Sequence, residues 1–251
     1  STAYTYFTLK RVLEAAEILG KPETPQLKRI REYSEGARRA YQELVTKEKF
    51  TLDTDRQAKL VRPLYMGLLT EEQTKFAEKR LIQAMEHYGW RLGTGFLSTP
   101  LILDVLAELD ISYAYRLLEN EEMPGWLFMP KSGATTIWEA WEGNTTKDKG
   151  IASLNHYSKG AVIQWVFDTM CGIRLGGENE FIIAPRPGEH FTSAKAEYAS
   201  VYGKVSCGWK RSSEGLEFEV AIPANCRALV RLPDGSEQEQ EAGERRYFIA
   251  Q

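Results

Sequence analysis

Glu139 stands between two indoles, Trp138 and Trp141, in the run from Gly133 to Glu142, and Ser153-Leu-Asn-His156 follows about one helix length later. Aromatic faces beside a carboxylate suit a sugar-binding cleft. Pyranose C–H surfaces pack on indole rings, and the carboxylate can act on a hydroxyl or a water. Taken singly, each residue has a plainer reading. A lone Glu is ordinarily a solvated surface group, and a lone His is more often a hydrogen-bonded structural side chain than a ligand. Trp126 and Trp141 fit a sugar platform or a packed core equally well, and Glu142 fits a second cleft carboxylate or a solvent-facing one. Asp53 and Asp55 read as caps of a following helix. His87 and His190 carry no recognisable signal.

The elements that must position these residues are helical up to about residue 175. Leu9, Val12, Leu13, Ala16 and Leu19 make one apolar stripe, which Gly20 and Pro22 stop. Thr24-Pro25 starts a second helix with an inward face of Leu27, Ile30, Ser34, Ala37, Tyr41 and Leu44. A third is expected over about 54–67 on Leu60, Val61, Leu64 and Leu68. Thr70-Glu-Glu-Gln73 is a capping-box sequence, in which hydroxyl and amide satisfy free N–H groups at a helix start. Phe76, Ala77, Leu81, Ala84 and Met85 continue that fourth helix. After a loop rich in Gly and aromatics (Gly89–Phe96), Thr99-Pro100 opens a fifth helix and Asp110 caps a sixth. An irregular segment, about 121–155, carries the Trp and Glu residues, and loops of that length are more often functional than decorative. A seventh helix is expected over about 157–171, ending at Gly172. Short connections between the early helices favour antiparallel helical hairpins.

Beyond Gly176-Gly177 the apolar period becomes two. Phe181-Ile-Ile-Ala184 reads as a buried strand, and Leu216, Phe218, Val220 and Ile222 alternate with Glu217 and Glu219. Ser213-Glu-Gly215 and Pro233-Asp-Gly235 are turn sequences. The expected architecture is therefore α+β in two domains: helical over 1–176 and a small antiparallel β-sandwich over 177–251.

The 251 residues are 43% apolar and 27% charged, as in soluble globular proteins, and suffice for one large domain or two ordinary ones. A net charge of -3 without blocks of like charge points to neither nucleic acid nor a membrane surface as partner. Three cysteines, Cys171, Cys207 and Cys226, cannot complete a disulfide framework and have no metal-ligand spacing. They read as reduced thiols, with no metal and no cofactor expected. No basic and apolar leader precedes the first helix, and no apolar run reaches the roughly 18 residues of a membrane span. Localisation stays open, cytoplasmic or secreted with a parent protein.

The run Gly133-Ala-Thr-Thr-Ile-Trp-Glu139 with Asn155-His156 closely resembles the C-terminal half of bacterial α-L-rhamnosidases, family 78 of the glycoside hydrolases. The resemblance extends over most of the chain, through Ala3-Tyr-Thr-Tyr6, Gly93-Thr-Gly-Phe-Leu97, Pro124-Gly-Trp126, Gly172-Ile173 and Ala184-Pro185. It implies part of an (α/α)6 barrel followed by a β-sandwich. It further implies removal of terminal α-L-rhamnose with inversion, by two carboxyl groups about 6.5–9.5 Å apart with room for a water between. Glu139 falls at the general base, and His156 matches a sugar-contacting His. Trp126, Trp138, Trp141 and Asn155 are the other candidate substrate contacts. The family's general acid lies in an Asp-Glu-Arg motif followed by Gly-Trp, which this sequence lacks, and seven helices are counted where the barrel needs twelve. The resemblance thus enters midway through the barrel. It implies rhamnose-containing glycosides and the N-terminal half of a parent enzyme as partners, with self-association through uncovered helix faces. Two other readings are a non-catalytic sugar-binding or structural fragment, and a different helical-barrel hydrolase or phosphorylase.

Overall fold

The structure, a computed structural model, describes residues 2–143 and 152–250. Residues 144–151 of the expected irregular segment lie outside the described residues. The chain divides into two compact units, Ser1–Lys159 and Gly160–Gln251.

In the first unit six longer helices follow one another in packed pairs: α1 (Thr2–Ile18) on α2 (Pro25–Leu44), α3 (Gln57–Met66) on α4 (Glu71–His87), and α5 (Ile102–Leu109) on α6 (Ile111–Leu118). Their ends follow local chemistry. Thr24 Oγ1 accepts the Leu27 amide at 3.2 Å, and Asp110 Oδ1 accepts the Ser112 amide at 2.8 Å. Thr70 and Gln73 form the reciprocal capping box, with bonds of 3.2 and 3.1 Å. Gly20, in the left-handed region at φ +58°, ends α1.

The core of this unit holds Leu60, Val61, Leu81, Met85, Leu106 and Leu117 at no exposure. Full burial of such side chains contributes roughly 1.5–3 kcal/mol each. The α1 stripe behaves differently: Leu9, Leu13 and Ala16 are only partly covered, and Val12 and Leu19 are exposed. Asp53 and Asp55 do not cap α3, whose N-cap is Arg56 without a side-chain bond. Instead they flank the half-sequestered Arg80 of α4, at 2.9 and 2.8 Å. His87 Nδ1 lies 3.1 Å from Asp55. A guanidinium with little access to water outcompetes free helix amides for carboxylates.

The expected seventh helix is broken up. Short helical turns cover Tyr157–Gly160, at the boundary between the units, and Val162–Trp165 in the second, where a π-turn follows at Val166–Met170. The π register shows in the Cys171 amide, which donates to Val166 O at 2.9 Å, five residues back.

The second unit carries six strands: β1 (Ile173–Gly177), β2 (Glu180–Ile183), β3 (Ser193–Ser200), β4 (Gly203–Arg211), β5 (Gly215–Arg231) and β6 (Glu237–Ala250). The strand part is thus as expected, but its pairing is mixed rather than wholly antiparallel. β6 runs antiparallel along the length of β5, while the other edge of β5 is shared. Its first half pairs antiparallel with β4, and its second half, Arg227–Val230, pairs parallel with β2. The exchange occurs at a bulge between Ile222 and Arg227, where Asn225 adopts φ +60°. The Asn179 side chain donates to Asn225 O at 2.9 Å, tying the β1–β2 turn to the bulge. Phe218, Val220 and Ile222 point inward as the alternation predicts, with Phe181, Val205 and Val230.

All three cysteines are free and buried, and burial pushes the Cys171 thiol up to about 11. Gly172 permits a close approach at the head of this unit. It sits at φ +74°, and a Cβ there would lie 2.1 Å from Pro185 N. Gly172→Ala should therefore cost about 2–4 kcal/mol, combining left-handed strain with a backbone clash. The check is a denaturant midpoint; an unchanged one would refute the close approach.

Candidate active site

The Glu139 segment has no regular secondary structure of its own, so its geometry comes from a second strip of chain. The Glu139 amide donates to Ser153 O at 2.8 Å, and the His156 amide donates to Ile137 O at 2.8 Å. Thr136 Oγ1 donates to Leu154 O. These bonds zip residues 136–139 against 153–156 and bring the Trp-Glu and Asn-His motifs together. The Glu139 carboxylate accepts the Ser153 amide at 2.8 Å, which leaves one oxygen uncommitted to that bond. Its residue is part-exposed.

The neighbours differ in what they offer. Asn155 is exposed, and its amide donates to Ser153 Oγ at 3.1 Å, which orders the turn. His156 Nδ1 lies 3.0 Å from Ser158 Oγ, so that nitrogen is engaged within the turn. The imidazole is sandwiched between Phe96, at 4.7 Å, and Tyr157, at 5.0 Å, both stacked. Trp141 is part-exposed, whereas Trp126 and Trp138 are only 4% and 2% exposed. Those two offer no open ring face for a sugar and instead pack beneath the loop. Trp126 meets Trp141 edge-on at 6.5 Å and donates from Nε1 to Lys159 O at 3.0 Å.

Several contributors escape a reading of motifs. Phe96 reaches His156 because its loop is clamped: Gln57, 1% exposed, donates to Arg91 O at 2.9 Å and accepts the Gly93 amide at 2.7 Å. Asn120 adds bonds to Gly89 O and Trp90 O at 3.0 and 2.8 Å. Lys159 is 4% exposed, donates to Glu139 O, and holds its ammonium 3.8 Å from the Trp141 ring centroid. Burial lowers its pKa to about 8 against the opposing pull of Glu142 and Glu139. Gln57 sits beside charged residues and Lys159 beside Gly160, so neither stands out in sequence.

Residues 1–170 match the model of the bacterial α-L-rhamnosidase six-hairpin glycosidase domain, and residues 177–247 that of the bacterial α-L-rhamnosidase C-terminal domain. The chain belongs to the bacterial α-L-rhamnosidase family. An α-L-rhamnosidase of Streptomyces avermitilis is 34% identical over 244 residues, covering 93% of this chain and 23% of the relative. One from Formosa agariphila is 34% identical over 246 residues, covering 94% of this chain and 26% of the relative. The crystal structure of the Streptomyces avermitilis α-L-rhamnosidase complexed with L-rhamnose superposes with a TM-score of 0.86 at 31% identity. It matches 99% of this chain and 26% of that one. The α-L-rhamnosidase structure from Dictyoglumus thermophilum shares the fold, with a TM-score of 0.88 at 24% identity over all of this chain and 32% of its own. The chain thus spans about a quarter of the length of the curated relatives it matches.

Proposed function

We propose that this chain supplies the general base and part of the sugar-binding wall of an inverting α-L-rhamnosidase acting on terminal α-L-rhamnose. The observation that carries the reading is the zipped pair of strips, which holds the Glu139 carboxylate by one oxygen beside His156. In this reading Glu139 takes a proton from the attacking water. His156, Asn155 and Trp141 contact the sugar, and Trp126 and Trp138 support them from below. His156 presents Nε2, since Nδ1 is engaged by Ser158.

The protonated carboxyl group that inversion also needs comes from an Asp-Glu-Arg segment absent from these 251 residues. The chain by itself would then bind sugar weakly without turning it over, which is the second reading its sequence favours. The test is a panel of nitrophenyl glycosides offered to a polypeptide joining this chain to a rhamnosidase N-terminal half. The α-L-rhamnoside should be hydrolysed in clear preference to glucoside, galactoside and arabinofuranoside. Comparable rates on any of those would remove the substrate assignment.

A further inference from the structure

We propose that Lys159 is a positioning residue for this reaction, holding the Glu139 peptide in register from beneath Trp141. The inference rests on Glu139 being the general base. Three contacts define the placement. The ammonium donates to Glu139 O, lies 3.8 Å from the Trp141 centroid, and belongs to a residue whose own carbonyl receives Trp126 Nε1 at 3.0 Å. With the edge contact between Trp126 and Trp141, these close a circuit around the loop. Glu139 is then fixed on two sides: the Ser153 strip holds its amide and carboxylate, and Lys159 holds its carbonyl.

Packing alone does not account for a lysine here. A side chain 4% exposed is rarely Lys, and burying an ammonium is costly, whereas methionine fills similar space without that cost. What the ammonium adds is a directed donor at the Glu139 peptide and a positive charge facing Glu139 and Glu142. Since burial lowers the Lys159 pKa to about 8, the charge is present below that pH and is lost as pH rises through it. The alkaline limb of turnover then reports Lys159.

The experiment compares Lys159→Met and Lys159→Arg in the active joined polypeptide, with Glu139→Gln alongside. Lys159→Met should lower kcat about 100-fold, the scale of a small misplacement of a reacting group, with KM within about threefold. Its thermal midpoint should hold or rise, because a buried charge has gone. Lys159→Arg should restore part of kcat and move the alkaline limb upward, since a guanidinium stays charged. An unchanged kcat and limb in Lys159→Met would overturn the proposal, while an unimpaired Glu139→Gln would overturn the base assignment instead. A second measurement needs no turnover. In the unsubstituted 251-residue chain, carbon-13 titration of the lysines should show one ε-CH2 signal shifted by an aromatic ring and titrating near 8. That ring shift should vanish in Trp141→Leu. Ordinary lysine behaviour of every ε-CH2 would overturn the placement.

Discussion

Replacing Glu139 with Gln in an active joined polypeptide should lower kcat by about 100- to 10,000-fold, the usual cost of removing a general base. The substitution keeps length, planarity and one accepting oxygen, so the 2.8 Å bond from the Ser153 amide can persist. The amide and carbonyl of residue 139 keep their partners on Ser153 and Lys159. Only the capacity to take a proton is lost, and the thermal midpoint should stay within a few degrees. At about 1.4 kcal/mol per tenfold, the expected loss is roughly 3–6 kcal/mol of transition-state stabilisation. His156→Ala should act differently, raising KM more than it lowers kcat, if the imidazole has the sugar-contacting role proposed for it. Steady-state rates on nitrophenyl α-L-rhamnoside decide between these patterns. If Glu139→Gln stays within a few-fold of the original, the base is another carboxylate, with exposed Glu142 the first to examine.

What could be foreseen depended on whether the controlling partner was near in sequence. The caps at Thr24, Thr70 and Asp110 were legible because each acts on an amide two or three residues away. The alternation in β5 was legible for the same reason. Pairings set by distant partners were not. Asp53 and Asp55 read as caps, yet Arg80 takes them from more than twenty residues away. The parallel seat of β2 on β5 depends on a bulge at Ile222–Arg227 that frees half an edge, and no periodicity announces it. The site divides the same way. Glu139, Asn155 and His156 stood out by motif, whereas Lys159 and Gln57 count only through burial and through the backbone they hold. Trp126 and Trp138 show the converse. Their type left sugar platform and core packing both open for Trp126 and made Trp138 a candidate contact, and their coverage places both in the packing.

The 251-residue chain on its own should not hydrolyse rhamnosides. Inversion requires one carboxyl group to protonate the leaving oxygen while a second activates water on the opposite face of the ring. Glu139, held by Ser153 and part-exposed, can take the second role but cannot act on both faces of one sugar at once. Within the zipped strips, 136–139 and 153–156, Glu139 is the sole carboxyl group, and Glu142 shares with it the charge of Lys159. Binding should be weak as well. With two of the three candidate tryptophans covered, the candidate sugar contacts left accessible among the described residues are Trp141, His156 and Asn155, so free L-rhamnose should bind at about millimolar or weaker, on the order of 4 kcal/mol. Supplying the N-terminal half of a rhamnosidase, fused or mixed as a separate piece, should restore turnover by completing the acid and the wall. Rates for the chain alone, the added half alone and the two together give the answer directly. Turnover by the chain alone that disappears in Glu139→Gln would show that a second acid already lies within it, and the division of labour proposed for Glu139 would have to be abandoned.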